Sequence, residues 1–500
     1  MNTADYLLIA KAETASKPVL INGDQAYSYE ALQHAAAMLL HGLQHAGVQP
    51  SDRIGILGAN SLFWVASYLA ILKLGAVAVP LATVASPEDW RRNQTFVQCR
   101  AICVEQKLKG KLQHMVLSDV ALLDESSLTQ TSSKVWPEPD PTFDLDRDAA
   151  IMFTSGTTAR PRAVRVTHRN LQANTESIIA DLGLTSDERM LVVLPFYYCF
   201  GLSLLHTHLR MGGSLALCNS FAFPETALDM IERLSCTGFA GVPSTFQTLL
   251  RNSSFARRNF KTLRKIQQAG GKLPVALVDE LIAATPGAVV HIMYGQTEAT
   301  ARLSSLLPEW LNTKRGSIGK GIPGVQLRVM NEAGDDVQPG ETGEIIARGA
   351  SISPGYWNDA EATVQKFIGG ALHTGDLATV DADGFIIIVD RKTDFIKSFG
   401  HRVSSQQIEA CVLELVDVVS AAAIGVPDDA RGEAIILFIT LRTGGAMQLL
   451  TDQIAAHCAQ RLPRHMLPRN VILLDALPLN PNGKVIKAEL KKQCVALLAA

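Results

Sequence analysis

Apolar and polar positions alternate along the chain in two distinct textures. Tyr29, Leu32, Ala36, Leu39 and Leu43 recur at helical spacing and predict a helix within residues 27–50. From there to about residue 300, short apolar runs such as Ile54–Leu57, Val77–Leu81, Ile102–Val104, Ala149–Phe153 and Leu191–Leu194 alternate with helical patterns. Strands alternating with helices imply parallel sheets covered by helices. After about residue 315, Gly316, Gly319, Gly321, Gly324, Gly334, Gly340, Gly343, Gly349 and Gly355 punctuate short alternating runs, the pattern of a small antiparallel barrel or sheet. A strand at Phe385–Val389 then ends at the charged segment Asp390–Asp394, and helices near 405–415 and 448–461 flank strands near 418–426 and 433–440. The expected architecture is α/β: a large N-terminal domain (1–391) of helix-covered sheets plus a small β-barrel (about 315–390), and a small mobile α+β C-terminal domain (394–500) beyond a hinge.

The most continuous apolar stretch, Ile54 to Val84, is interrupted by Asn60, Ser61, Lys73 and Pro80. It reads as a buried helix followed by a buried strand, and no stable membrane insertion is expected. A net charge of −2 on 500 residues gives no electrostatic case for nucleic acid as a partner. Met1–Asp5 lacks the basic start and apolar core of a signal peptide. The eight cysteines include no C-x-x-C pair; Cys99 and Cys103 could share a helix face, but no histidine or acid beside them completes a metal set. These features point to a reduced, cytoplasmic protein.

Four segments carry candidate chemistry. The run Ile151–Arg162 joins a strand-like segment to a loop of hydroxyls and glycine, in which Thr154, Ser155, Gly156, Thr157 and Thr158 could wrap polyphosphate. It lacks the G-x-x-x-x-G-K-[ST] of a Walker loop, and an ordinary turn has the same composition. Tyr294-Gly295-Gln296-Thr297-Glu298 follows the apolar run Val289–Met293, where a strand end in a parallel sheet meets ligands. There Glu298 could hold Mg²⁺ and Tyr294 could stack on a base. In His373-Thr374-Gly375-Asp376 the carboxylate is suited to vicinal ribose hydroxyls, or to an Asx turn. Pro478–Lys484 is a Pro/Asn/Gly turn that displays one lysine, a point charge suited to an anion that gains charge in a transition state.

In this order and spacing the segments resemble the acyl-adenylate-forming superfamily: acyl- and aryl-CoA synthetases, nonribosomal-peptide adenylation domains and firefly luciferases. The resemblance covers nearly the full length and adds Gly270-Gly271-Lys272-Leu273 as an adenine-side loop and Asp390–Glu409 as the segment around a hinge. It implies an AMP-forming ligase that uses ATP and Mg²⁺ to convert a small-molecule carboxylic acid to acyl-AMP and then passes the acyl group to CoA or to the phosphopantetheine of an acyl or peptidyl carrier protein. Thr154–Thr158 would hold the β- and γ-phosphates, Glu298 with Thr297 the Mg²⁺, Asp376 and Arg391 the ribose, and Tyr294 the adenine. Lys484 would bridge the substrate carboxylate and the α-phosphate. Rotation about Thr393 would then withdraw Lys484 and bring Gly400 and Arg402 to the site for thiol transfer.

The chain departs from the superfamily pattern at several positions. Ala159 and Ala163 replace glycines of the phosphate loop, and Arg162 replaces its lysine, keeping a cation near the phosphates. The acyl pocket is expected to involve Tyr198, Cys199 and Phe246, with Tyr198 where CoA ligases commonly have histidine. No acidic residue lies between Leu194 and Gly213 to pair an α-ammonium, which favours an acid without an α-amino group over an amino- or imino-acid substrate. His206 and His208, in an apolar segment, are expected to be packed helix residues. A luciferase-like oxygenase and a silent nucleotide-binding protein are the alternatives.

Overall fold

The computed structural model describes residues 1–9, 14–113, 120–128, 135–154, 162–392, 394–428, 430–442, 447–480 and 482–498. Ser155, Gly156, Thr157, Thr158 and Ala159 of the expected phosphate loop, and Thr393 of the expected hinge, lie outside the described residues.

The helix expected within residues 27–50 runs Tyr29–His45, capped by Ser28, whose hydroxyl accepts from the Ala31 N–H. The apolar stretch that follows folds as strand Arg53–Leu57, helix Leu62–Leu74 and strand Val77–Leu81. That helix is apolar all round because nearly every side of it is buried; Ser61 caps its start and Gly75, at φ 72°, closes its end. No helix among the described residues is long and apolar enough to cross a membrane.

Among the described residues four sheets form. A seven-stranded sheet, parallel at its centre, holds Arg53–Leu57, Val77–Leu81, Cys99–Val104 and Asp148–Phe153. A nine-stranded sheet carries the parallel strands Arg189–Val192, Gly238–Gly241, Lys265–Gln268 and Val289–Tyr294, in that spatial order. The glycine-punctuated segment forms a five-stranded antiparallel sheet around Thr342–Gly349 and Ala371–Val380. Beyond it, Val418–Asp428 and Gly432–Leu441 pair antiparallel in a sheet of their own, with helices Ser405–Val412 and Met447–Arg461.

Two local expectations are corrected. Cys99 and Cys103 lie on a strand, not a helix; side chains alternate along it, and a register shift beside Arg53 leaves the two thiols in different hydrophobic clusters. All eight cysteines are buried and unpaired. The strand expected over Phe385–Val389 runs Ile386–Arg391 instead. Its two charged residues stay in the strand because each has a partner. Arg391 stands opposite Asp376, and the fully buried Asp390 carboxylate accepts from the Ser404 hydroxyl (2.9 Å) and the Ser405 N–H (3.0 Å).

The C-terminal sheet is docked against the helix Pro243–Asn252. Arg442 Nε donates to the Arg251 carbonyl (2.7 Å), in the last turn of that helix, where unpaired carbonyls favour a cation.

Candidate active site

The parallel strands Lys265–Gln268 and Val289–Tyr294 end side by side on a cavity open to solvent. Its walls include Gly270, Gly271, Tyr294, Asp376, Arg391 and Lys484, so residues from four distant stretches of sequence share one space. Gly270 follows the first strand at φ +87°, and a Cβ there would sit 2.8 Å from Tyr198 Oη and 2.9 Å from Val242. Both the conformation and the space demand glycine, and the bare backbone gives the cavity one of its walls.

Asp376 is 5% exposed and faces two donors. Tyr294 Oη donates to Oδ2 (2.5 Å), and Arg391 Nε, directly across the antiparallel pair, donates to Oδ1 (3.1 Å). The turn is shaped by Gly375 at φ +78° and by Thr374 Oγ1, which accepts from the Asp376 N–H (3.1 Å). Burial and the neighbouring carboxylate hold the Tyr294 phenol well above its ordinary pKa, so it stays a donor. A carboxylate fixed this way keeps lone pairs for a vicinal diol at the cavity.

Lys484 enters from the C-terminal unit on a tight turn. Gly483 N–H donates to the Asn480 carbonyl, Lys484 N–H to Asn480 Oδ1, and Asn480 N–H to the Lys484 carbonyl. The turn rests on the N-terminal side through Ser244, whose hydroxyl donates to the Gly483 carbonyl (3.1 Å). Burial, and then the adjacent Arg391, pull the Lys484 pKa down, while Cys199, Asp376 and Glu298 act the other way.

Glu298 sits on the short turn Thr297–Ala299 just past the second strand. Its Oε1 accepts from Tyr356 Oη (2.9 Å), and the Arg162 guanidinium lies 5.1 Å from the centre of the Tyr356 ring. Thr154 and Arg162 pin the two ends of the hydroxyl-rich loop: Thr154 N–H donates to the Arg162 carbonyl (2.9 Å), and Arg162 N–H to Thr154 Oγ1 (3.3 Å). Among the described residues no cluster of three or more His, Cys, Asp or Glu side chains could hold a metal. A single carboxylate such as Glu298 is nevertheless a donor that fits Mg²⁺, which fills most of its shell with phosphate oxygens and water.

The remaining expected residues fall into four groups. Tyr198 and Cys199 begin the helix Cys199–Met211, and Thr297 Oγ1 approaches Cys199 Sγ at 3.5 Å. Burial raises the Cys199 pKa, so it is a thiol at neutral pH. Phe246 does not reach the cavity; it is fully buried in a core cluster, edge-on to Phe239 at 5.8 Å, because its helix turns that face to the sheet. Gly400 and Arg402 lie on an exposed hairpin of strands Ile396–Ser398 and His401–Val403, away from the cavity. His206 and His208 are buried in their helix, 3% and 2% exposed, and burial lowers their pKa values to about 3 and about 4. Tyr356 and Ser244 had no signal in the sequence: each acts through one contact made across the fold.

Residues 9–357 match the AMP-binding enzyme family, and residues 407–484 match the AMP-binding enzyme C-terminal domain. The chain belongs to the AMP-binding enzyme family. It is similar to a feruloyl-CoA synthase of Amycolatopsis sp., at 29% identity over 94% of this chain and 95% of that protein. A 2-succinylbenzoate–CoA ligase of Geobacillus kaustophilus is 30% identical over 96% and 95% of the two chains. Among solved structures, an anthranilate CoA ligase in complex with anthranoyl-AMP superposes with TM-score 0.92 at 25% identity, covering 100% of this chain and 98% of that one. The Bacillus subtilis o-succinylbenzoate CoA synthetase in complex with its acyl-adenylate gives 0.86 at 27% identity, covering 98% of each. This member is an AMP-forming acid–thiol ligase of the acyl-adenylate-forming superfamily.

Proposed function

We propose that the enzyme activates a carboxylic acid lacking an α-amino group with ATP, releases pyrophosphate, and transfers the acyl group from the bound acyl-AMP to the thiol of CoA. The observation that carries this reading is the convergence of Lys484 with Asp376 and Arg391 on one cavity, although the lysine lies about a hundred residues further along the chain. Adenine packs between the Gly270-Gly271 backbone and Tyr294, and Asp376 and Arg391 take the ribose. Thr154, Ser155, Gly156, Thr157, Thr158 and Arg162 take the β- and γ-phosphates. Glu298, assisted by Thr297, holds Mg²⁺, which when bound offsets phosphate charge. The Lys484 ammonium lies between the acid's carboxylate and the α-phosphate, where negative charge builds up during in-line displacement.

For thiol transfer the segment from residue 394 onward turns about Thr393, withdraws Lys484, and presents the Gly400–Arg402 hairpin instead. One site thus serves two chemistries in succession. Exposed Gly400 leaves room for a pantetheine arm. A carrier-protein phosphopantetheine offers the same thiol as CoA and is the alternative acceptor. A cytoplasmic location accords with eight unpaired buried cysteines.

The experiment is acid-dependent ATP–pyrophosphate exchange over fatty, aryl, dicarboxylic and amino acids, with parallel reactions scored for acyl-CoA. Exchange followed by acyl-CoA is expected. Exchange without acyl-CoA moves the acceptor to a carrier protein. No exchange with any acid overturns the proposal.

A further inference from the structure

Among the described residues, the C-terminal unit contributes two side chains to the walls of the large cavity, Lys484 and Gln406. The proposed chemistry uses the lysine and leaves the glutamine idle. Gln406 lies in the first turn of the helix Ser405–Val412, and the backbone there is held firmly. The Ser404 hydroxyl and the Ser405 N–H both donate to buried Asp390, and Lys487 Nζ donates to the Ser405 hydroxyl (2.6 Å). Two residues before Asp390, Ile388 also lines the cavity, and its carbonyl accepts from Lys272 Nζ (3.0 Å). That bridge joins the loop after Gly270-Gly271 to the strand on which Gln406 is anchored. Gln406 therefore stands on the Gly270-Gly271 side of the cavity.

Gln406 Oε1 is buried and has no hydrogen-bond partner among the described residues. No other buried side-chain oxygen or nitrogen in the described walls of this cavity is left in that state. The polar neighbours in this part of the wall donate to the protein itself. Gln268 Nε2 donates to the Gly271 carbonyl (2.9 Å), Lys272 to Ile388, the Arg315 guanidinium to Asp279, and the Ser317 hydroxyl to the Ile386 carbonyl (2.7 Å). Between them the wall is apolar, with Val275, Val278, Leu306, Leu311 and Ile318. A buried amide oxygen without a donor is costly, so this one calls for an N–H or O–H from whatever fills the cavity. The only N–H donor of the adenine in ATP is its 6-amino group, and a glutamine amide is the side chain that matches that edge.

We propose that Gln406 reads the base of the nucleotide: its Oε1 accepts from the 6-amino group of adenine and selects ATP over purine nucleotides without that donor. The inference rests on the acid-activation reading and adds a specificity residue to it. Because Gln406 and Lys484 belong to the same unit, the base is read only in the arrangement that also places the lysine. In the proposed rotation for thiol transfer the two withdraw together.

The test is titration calorimetry of the full chain with ATP and with purine riboside 5′-triphosphate, which carries hydrogen in place of the 6-amino group. The wild-type protein is expected to bind ATP about tenfold more tightly than the analogue, the size of one buried hydrogen bond. Gln406→Leu is expected to bind ATP about tenfold more weakly than wild type and to bind the two nucleotides equally. A merely structural role would weaken both alike and leave their ratio intact. Gln406→Met, close in length and without the oxygen, replaces the leucine variant should that not fold. Equal binding of the two nucleotides by wild type, or a ratio that survives in the variant, overturns the inference and leaves acid activation in place. Acid-dependent ATP–pyrophosphate exchange is followed alongside. Its absence with every acid overturns the acid-activation reading, while the binding ratio still decides on Gln406.

Discussion

The Ser244 hydroxyl donates to the carbonyl of Gly483, the residue before Lys484, so one hydrogen bond ties the first turn of an N-terminal helix to the lysine's loop. Removing it costs about 1 kcal/mol, roughly a fivefold effect. Ser244→Ala is therefore expected to slow adenylate formation about fivefold, read by ATP–pyrophosphate exchange. Thiol transfer from supplied acyl-AMP is expected to stay at the wild-type rate, because the proposed rotation takes the loop away from Ser244 in that step. Equal slowing of both steps would count against the bond acting on Lys484.

Asp376 gathers the phenol of Tyr294 and the guanidinium of Arg391 on one carboxylate. Asp376→Ala removes the acceptor of both and is expected to raise the KM of ATP at least about tenfold. Tyr294→Phe removes one donor and leaves the ion pair, so its effect is expected to be several-fold smaller. Steady-state kinetics at saturating acid separates the two; an unchanged KM in Asp376→Ala would remove Asp376 from nucleotide binding.

In the proposed mechanism the reaction needs the Lys484 ammonium, whose pKa is lowered. The rate is therefore expected to fall as pH rises through that pKa, at a pH below the ordinary lysine value of about 10.4. Lys484→Arg keeps its charge across this range and is expected to lose the alkaline limb, at a much lower plateau. A pH–rate profile of pyrophosphate exchange, taken with excess Mg²⁺, checks both. Removing Mg²⁺ with a chelator is expected to stop exchange in each enzyme.

Lys487 Nζ meets Glu409 Oε1 at 2.8 Å and the Ser405 hydroxyl at 2.6 Å, an ion pair largely out of water within the C-terminal unit. Burial raises the Glu409 pKa, and the lysine offsets this. Lys487→Met leaves the carboxyl buried without its cation and is expected to cost about 3 kcal/mol. Calorimetry should place the loss in the C-terminal unit. The double variant Lys487→Met with Glu409→Gln is expected to recover part of it.

Much of the molecule was legible in its sequence because the signals were local. The apolar runs that marked Arg53–Leu57 and Val289–Tyr294 are strands because both faces are buried. Gly270 and Asp376 stood out because a tight turn selects its residues. What stayed hidden depends on packing between distant segments. Cys99 and Cys103 share spacing with a helix face, and pairing with Arg53–Leu57 on one side and Ala121–Leu123 on the other makes that segment a strand. Phe246 has the composition of a pocket residue, and the orientation of its helix decides otherwise. Arg302 follows Ala299, Thr300 and Ala301 in a segment with no other charge before Glu309, and nothing nearby in sequence says that Phe200 and Met293 will close over it.

The thiol of Cys199 stands beside Thr297 and in electrostatic reach of Lys484 and Glu298, where we propose that a mixed anhydride is formed. Such an intermediate acylates any thiolate it meets, and this enzyme exists to let one thiolate meet it. Burial keeps Cys199 protonated, and a protonated sulfur is a poor nucleophile. The side chain can therefore line the reactive space without becoming its first victim, and the acyl group waits for the acceptor that arrives from solvent.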